Sequence, residues 1–512
     1  MGAAPGPHTG AMTSCLFTAR QAAGNPGARR HAVAAAVLLL VLAGCASAPP
    51  QPAAPPAVAV PAAWSRSEAA TPAQASSLAQ WWLRFGDPQL ATLVTQALQA
   101  NTSVKGAQAA LRQARALRDA SAAGLKPVVG SSASAQHSVS GGRSAGNSFN
   151  AGLDASWEPD VFGANRSALD ASEATARASA ASLGDTQVSV AAEVALSYIT
   201  LRSAQARLAI AQDNLASQQE TLQITQWRLQ AGLVTSLEAE QARAATEQTR
   251  AQVPALQTSI EQARHALAVL CGQPPAALST MLAATAPVPQ AAGDLALSIP
   301  AETLRQRPDV RAAELQVTAA VAHVAEADAA RLPSFKVSGS LGLNALTLGA
   351  LTNTSAVVGS LLAGVSWPVF DGGAARAQVR AQQAALEQAQ ATYHFTVLTA
   401  LKDVEDALVA LSGDRERLVR LQNAAEAAGN AALMARQRYS SGLVDFQVVL
   451  DTQRTQLSTQ ESVVTARADL GTDHVRLYKA LGGGWSPDVA AETADSADPA
   501  TTQTPTRQNT PS

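Results

Sequence analysis

The sequence predicts a mixed α and β membrane protein made of two copies of one unit, each pairing long helical hairpins with a hairpin of amphipathic strands. Three observations carry this reading. The first is a duplication. Trp157, Gly163, Ala164, Arg166, Val194, Arg228, Gly232, Leu233, Val234, Leu267 and Gly272 recur at an offset of 210 as Trp367, Gly373, Ala374, Arg376, Val404, Arg438, Gly442, Leu443, Val444, Leu477 and Gly482. Upstream, Val104, Ala107 and Pro127 match Val310, Ala313 and Pro333 at an offset of 206. A unit of roughly 165 residues is too large for a solenoid repeat and implies a pseudo-twofold architecture. The second observation is two long proline-free runs. The third is a set of segments with strand alternation.

The N-terminus comes first. Arg29 and Arg30 precede an apolar run from Ala32 to Ala43, too short to cross a bilayer as a helix and suited to the core of a signal peptide. It ends in Leu42-Ala43-Gly44-Cys45, which resembles the lipobox of bacterial lipoproteins and implies a covalent lipid on Cys45. Ala46 rather than Asp follows, which favours the outer membrane under the retention rule that resemblance implies. Residues 1–44 are therefore read as signal peptide and 45–63 as the lipidated Cys with a Pro/Ala-rich tether. The first repeat spans 64–272, a linker 273–299, the second repeat 300–485, and a polar tail 486–512 has the composition of disorder.

Helices follow from punctuation. No proline lies between Pro159 and Pro254 or between Pro368 and Pro487, and an interior proline costs a helix about 3 kcal/mol. Within each run the strong break is a glycine, Gly232 or Gly442, where a helix can end in left-handed geometry and Thr235 or Asp445 can cap the next. The first arm, Val161 to Ala231, would measure about 105 Å and the return arm to Cys271 about 58 Å. Asp87-Pro88 opens another helix with a cap and a first-position proline, and Arg307-Pro308-Asp309 opens its repeat partner. Charged residues are only 15% and aromatics 4%, so small side chains must let these helices pack closely.

Strands lie between the helices. Phe149, Ala151, Leu153, Ala155 and Trp157 alternate with Asn150, Gly152, Asp154, Ser156 and Glu158. Phe335 to Ala345 repeats the pattern, and Leu361, Ala363, Val365, Trp367 and Val369 form a third stripe. Val128 to His137 is weaker and is assigned by its place in the repeat. The strand hairpins fall near 127–158 and 333–370. Ten residues suit a transmembrane strand, and a membrane sheet must close. Four strands cannot close alone; two chains would supply eight, and three would supply twelve with room for a passage.

Other function classes lack residues. A net charge of −2 offers no field for nucleic acid. His8, His31, His137, His265, His323, His394 and His474 are scattered without metal-ligand spacing, and there is no phosphate loop or nucleophile elbow, so no enzyme, metal site or cofactor is expected.

Trp81 to Pro88 (WWLRFGDP), Tyr198 to Arg202 (YITLR), Gly232-Leu233-Val234, Pro300 to Val310, Pro333-Ser334-Phe335 and Tyr439 to Gly442 (YSSG) resemble the TolC-like outer-membrane efflux channels, and the lipobox points to the OprM/NodT branch that serves RND pumps. The resemblance spans 64–484. It implies a homotrimer with a twelve-stranded barrel in the outer membrane and a helical tunnel, a passive duct for solutes delivered by an inner-membrane RND-type transporter and a periplasmic adaptor (membrane fusion protein). A periplasmic adaptor lipoprotein is the alternative, but would show one hairpin flanked by compact β domains. The resemblance also implies sites. Gly232, Leu233, Val234, Gly442, Leu443 and Val444 form hairpin tips for adaptor contact. Tyr439 and Glu238 link hairpins and hold the periplasmic entrance closed, although Thr235-x-x-Glu238 also reads as a capping box. Asp451 rings the entrance, or lies on a solvated helix face. Gln447 and Val444 depart from the family pattern, implying a differently built gate.

Overall fold

The computed structural model describes residues 78–140, 143–291 and 301–485. The segments read as signal peptide, tether and tail, Cys45, residues 64–77 of the first repeat and residues 292–300 lie outside them. In chain order the elements are α1 (Pro88–Ala100), α2 (Thr102–Ala123), β1 (Val128–Ser140), β2 (Arg143–Trp157), α3 (Ala164–Gln230), α4 (Ser236–Leu270), α5 (Pro308–Ala329), β3 (Ser334–Ala345), β4 (Val357–Ser366), α6 (Ala374–Ser440) and α7 (Phe446–Ala480). The duplication is realised in most elements: α3 and α6 each have 67 residues, α4 and α7 each have 35, and α2 and α5 each have 22. The helix that Arg307-Pro308 opens is therefore the repeat partner of α2 and not, as the proline pattern suggests, of α1, whose counterpart lies before it in the chain. At 1.5 Å per residue the long arms run about 100 Å. Pro254 sits inside α4 without ending it.

Asp87 caps α1 as expected, its carboxylate accepting from the backbone N–H of Gln89 and Leu90. Asn101 separates α1 from α2: its Oδ1 accepts from Ser103 and Val104, and its Nδ2 donates to the carbonyl of Leu270 at the end of α4. Alanine is the commonest buried residue of α3, joined by Gly184 and three valines, a composition that allows close helix approach. Larger side chains gather in one core, where the buried Trp81 stacks on Tyr478 with ring centroids 5.5 Å apart.

The four strands form one antiparallel sheet in the order β1-β2-β3-β4, so the two halves meet at β2–β3. The weak first strand is real and reaches Ser140. The last is shorter than its stripe: β4 stops at Ser366, leaving Trp367 and Val369 outside it. Trp367 instead donates its indole N–H to the carbonyl of Arg331 at 3.2 Å, as Trp157 does to Leu125 at 3.1 Å. The duplicated tryptophans thus tie each strand hairpin to the chain end of the helix that feeds it.

Candidate functional site

Two regions bear on function, the sheet and the hairpin tips. Register places Phe149, Ala151, Leu153 and Ala155 beside Ala345, Leu343, Leu341 and Gly339 on one face, and Gly339 beside Leu361. This apolar face is open: Leu153 is 54% exposed, Leu341 61% and Leu361 83%. The opposite face carries Asp154, bonded by Ser132 at 3.1 Å, and a Ser340–Ser360 hydroxyl pair at 2.8 Å. On that polar face Gly152 pairs with Gly342. A Cβ on Gly342 would lie 2.9 Å from the Ala151 carbonyl and 3.1 Å from the Gly152 Cα, so the sheet closes here to a separation only glycine tolerates, as at the corner of a strongly curved sheet. Among the described residues no helix is long and apolar enough to cross a membrane. The sheet is a different matter, since its strands have the length and face pattern of membrane strands.

The motif residues near the chain ends of the repeats converge on a structural network. Tyr198 donates to Asp87 at 2.8 Å and accepts from Arg202 at 2.9 Å. Arg202, fully buried, also reaches Gln205 at 2.7 Å and the Ala284 carbonyl at 2.6 Å. Burial pushes the Tyr198 phenol up to about 12, consistent with a fixed hydrogen-bonding post. Arg307 grips Asp309 through two bonds of 3.0 and 2.7 Å and donates to the Ala480 carbonyl at 2.6 Å.

At the tips, both hairpins turn alike. Gly232 and Gly442 have φ of 70° and 72°. Leu233 N–H bonds the Arg228 carbonyl at 2.8 Å and Leu443 N–H the Arg438 carbonyl at 2.9 Å, the six-to-one bond of a Schellman cap. Leu233 and Leu443 stand 74% and 73% exposed, with Val234 and Val444 half-buried beside them. The caps expected from Thr235 and Asp445 are absent: neither side chain bonds the following turn. The reciprocal box with Glu238 is therefore not formed. Glu238 lies in the first turn of α4, where the helix dipole favours an anion, and its buried Oε2 has no hydrogen-bond partner.

Tyr439 packs its ring 5.4 Å from Phe446 beside a small tip cluster of Ala242, Ala245, Ala435, Phe446, Val449 and Leu450. Its hydroxyl, like Glu238 Oε2, is buried without a partner, so the two are not bonded to each other within the protomer. Gln447 donates to Asp451 at 2.9 Å, and Arg454 lies 3.8 Å from the same carboxylate. Gln447 and Asp451 are both exposed on α7. Sequence reasoning missed Arg228 as a tip residue. Its guanidinium sits 4.7 Å over the Tyr439 ring and donates to the carbonyls of Tyr439 at 3.4 Å and Ser440 at 3.2 Å, tying the two hairpins of one protomer. The signal available was its place among the duplicated residues.

Similarity to known proteins agrees with this geometry. The outer membrane efflux protein family matches residues 93–273 and 299–483. The chain is 33% identical over 474 residues to the pyoverdine export outer membrane protein OpmQ of Pseudomonas putida, covering 90% of this chain and 98% of the relative. It is 30% identical to nodulation protein T of Rhizobium leguminosarum bv. viciae over 467 residues, 90% of this chain and 95% of that one. The solved outer-membrane channel OprN superposes with a TM-score of 0.79 at 38% identity, over 84% of this chain and 99% of that chain. These relatives are transport proteins, and a periplasmic adaptor is not favoured, since two duplicated helical hairpins share one four-stranded sheet. The chain belongs to the outer membrane efflux protein family, as an outer-membrane efflux channel of the OprM/NodT type.

Proposed function

We propose that three copies of this chain close a twelve-stranded barrel in the outer membrane and a helical tunnel below it, forming the passive exit duct of a tripartite efflux system. An inner-membrane RND-type transporter and a periplasmic adaptor deliver the solute, the adaptor seating on the tips at Gly232, Leu233, Val234, Gly442, Leu443 and Val444. Cys45 carries the lipid, and Tyr439, Glu238, Gln447 and Asp451 line the periplasmic gate. The observation that carries the reading is the sheet: an open apolar face, a polar reverse, and two edges, β1 and β4, without partners in the protomer. In hydrocarbon such edges must be paired, and twelve strands leave a lumen where eight would be filled by side chains.

Adjacent residues on β4 test the assignment of faces. Leu361 lies on the apolar face and Leu362 on the polar one. Leu361→Arg places a charge in lipid at about 2–4 kcal/mol per chain and should abolish heat-modifiable oligomers in the outer membrane. Leu362→Arg should be tolerated. The reverse ranking would overturn the barrel.

A further inference from the structure

We infer that Arg438 bridges neighbouring copies of this chain by capping the C-terminal end of the neighbour's α3, and that this seam is the weaker of the two kinds at the gate. The inference rests on the trimer proposed above. The 210-residue duplication makes α3 equivalent to α6 and α4 to α7. Within one protomer the seam between hairpins runs along α3 and α7. Asn214 donates to Gln460 at 3.0 Å, Gln453 to Thr221 at 3.3 Å, and Arg207 approaches Glu461 at 3.6 Å. A ring of alternating hairpins must have a second seam, between α6 of one chain and the neighbour's α4, related to the first by the same offset.

Applied to the tip, the offset carries Arg228 to Arg438, Tyr439 to Leu229 and Ser440 to Gln230. The two carbonyl bonds made by Arg228 therefore recur as bonds from Arg438 to the carbonyls of Leu229 of the partner subunit and Gln230 of the partner subunit. The chemistry fits. Arg438 sits in the last turn of α6, exposed, and its guanidinium has no hydrogen-bond or ion-pair partner among the described residues, while terminal helix carbonyls attract cations.

The second seam lacks what strengthens the first. Leu229 replaces the Tyr439 ring, so Arg438 has no aromatic face to cover. The positions equivalent to Asn214 and Thr221 are Ala424 and Ala431, which offer no side-chain hydrogen bond. Opening of the ring should therefore begin between subunits.

Two differently tagged full-length chains, one Arg438→Cys and the other Gln230→Cys, are co-expressed and treated with a short bismaleimide. A product carrying both tags is expected, since only a contact between subunits can make it. Arg228→Cys with Ser440→Cys in one chain is the internal control for reach. Intact trimers in which the control links but the mixed pair does not would overturn the inference, whereas particles that are not trimers would overturn the proposed assembly instead. A density map of the closed wild-type trimer decides without substitution: the Arg438 guanidinium must lie within hydrogen-bond distance of those two carbonyls, and its pointing elsewhere refutes the contact. Leu229→Tyr supplies the missing ring and should make spontaneous openings in planar bilayers several-fold rarer; an unchanged frequency would refute the asymmetry.

Discussion

Replacing Arg228 should loosen the gate without unfolding the protein. Arg228→Met keeps helix propensity and removes the guanidinium that lies 4.7 Å over Tyr439 and reaches two terminal carbonyls of α6. The stacking of a half-exposed cation on a ring is worth about 0.5–1 kcal/mol, and a cation at a helix C-terminus about 0.3–1 kcal/mol. The bonds of 3.2 and 3.4 Å are long and add little beyond the second figure. Each protomer then loses about 1–2 kcal/mol. If three protomers open together the closed state loses about 3–6 kcal/mol, a shift of roughly a hundred- to ten-thousand-fold in the closed-to-open ratio. Arg228→Lys should fall between, because lysine keeps the charge at the helix end but lacks the flat stacking face. The assay is open probability in planar bilayers, supported by cellular sensitivity to vancomycin. The side chain lies outside both buried clusters, so trimer yield should hold. An open probability within about twofold of wild type, in trimers of normal yield, would refute the claim that this contact ties the hairpins.

Three further outcomes are expected. Tyr439→Phe combined with Glu238→Gln deletes a buried hydroxyl and the charge of a carboxylate, two groups whose Oη and Oε2 have no partner within the protomer; if a neighbouring chain satisfies them at about 1.5–3 kcal/mol each, conductance rises, and unchanged conductance rejects them as gate residues. Gly342→Ala forces a Cβ to 2.9 Å from a backbone carbonyl and should cost about 1–3 kcal/mol, seen as a lower melting temperature of the assembled oligomer, whereas Gly130→Ala on the same face meets open space and should melt like wild type. Burial, reinforced by the neighbouring Asp414 carboxyl, raises Asp473 from 3.8 to about 6; the folded state thus holds a proton that the unfolded chain releases, so this group's contribution falls as pH rises from about 4 to about 6. Acidification from pH 7 to 5 should therefore raise the melting temperature of wild type relative to Asp473→Asn, and an equal response in the two proteins would show that Asp473 is not the titrating group.

Most of the architecture was legible because it is periodic. Proline-free runs and one glycine per hairpin located α3, α6 and α7, the duplicated Gly232 and Gly272 bounded α4 in spite of the Pro254 inside it, and alternation located β2 and β3. β1 was faint because Ser131, Ser132, Ala133 and Ser134 give no amphipathic contrast, and only its position in the repeat revealed it. The stripe through Trp367 and Val369 overran β4 because alternation does not see Pro368, which cannot extend a strand ladder, nor the indole bond that takes Trp367 to Arg331. Thr235 and Asp445 have the right chemistry for caps, but capping depends on side-chain rotamer and neighbours, which residue type does not encode. Arg228 was hidden for a related reason: its partner Tyr439 is 211 residues away, and only tertiary packing of the two hairpins brings them together.

The central claim is that four strands per chain become a closed barrel by threefold association. Native mass spectrometry of the full-length protein, released from membranes in detergent, measures the number of chains directly. Three chains per particle, with β1 of each protected against amide exchange by β4 of the next, is the predicted result. A stable monomer, or a dimer whose eight strands could enclose no passage, would contradict the account.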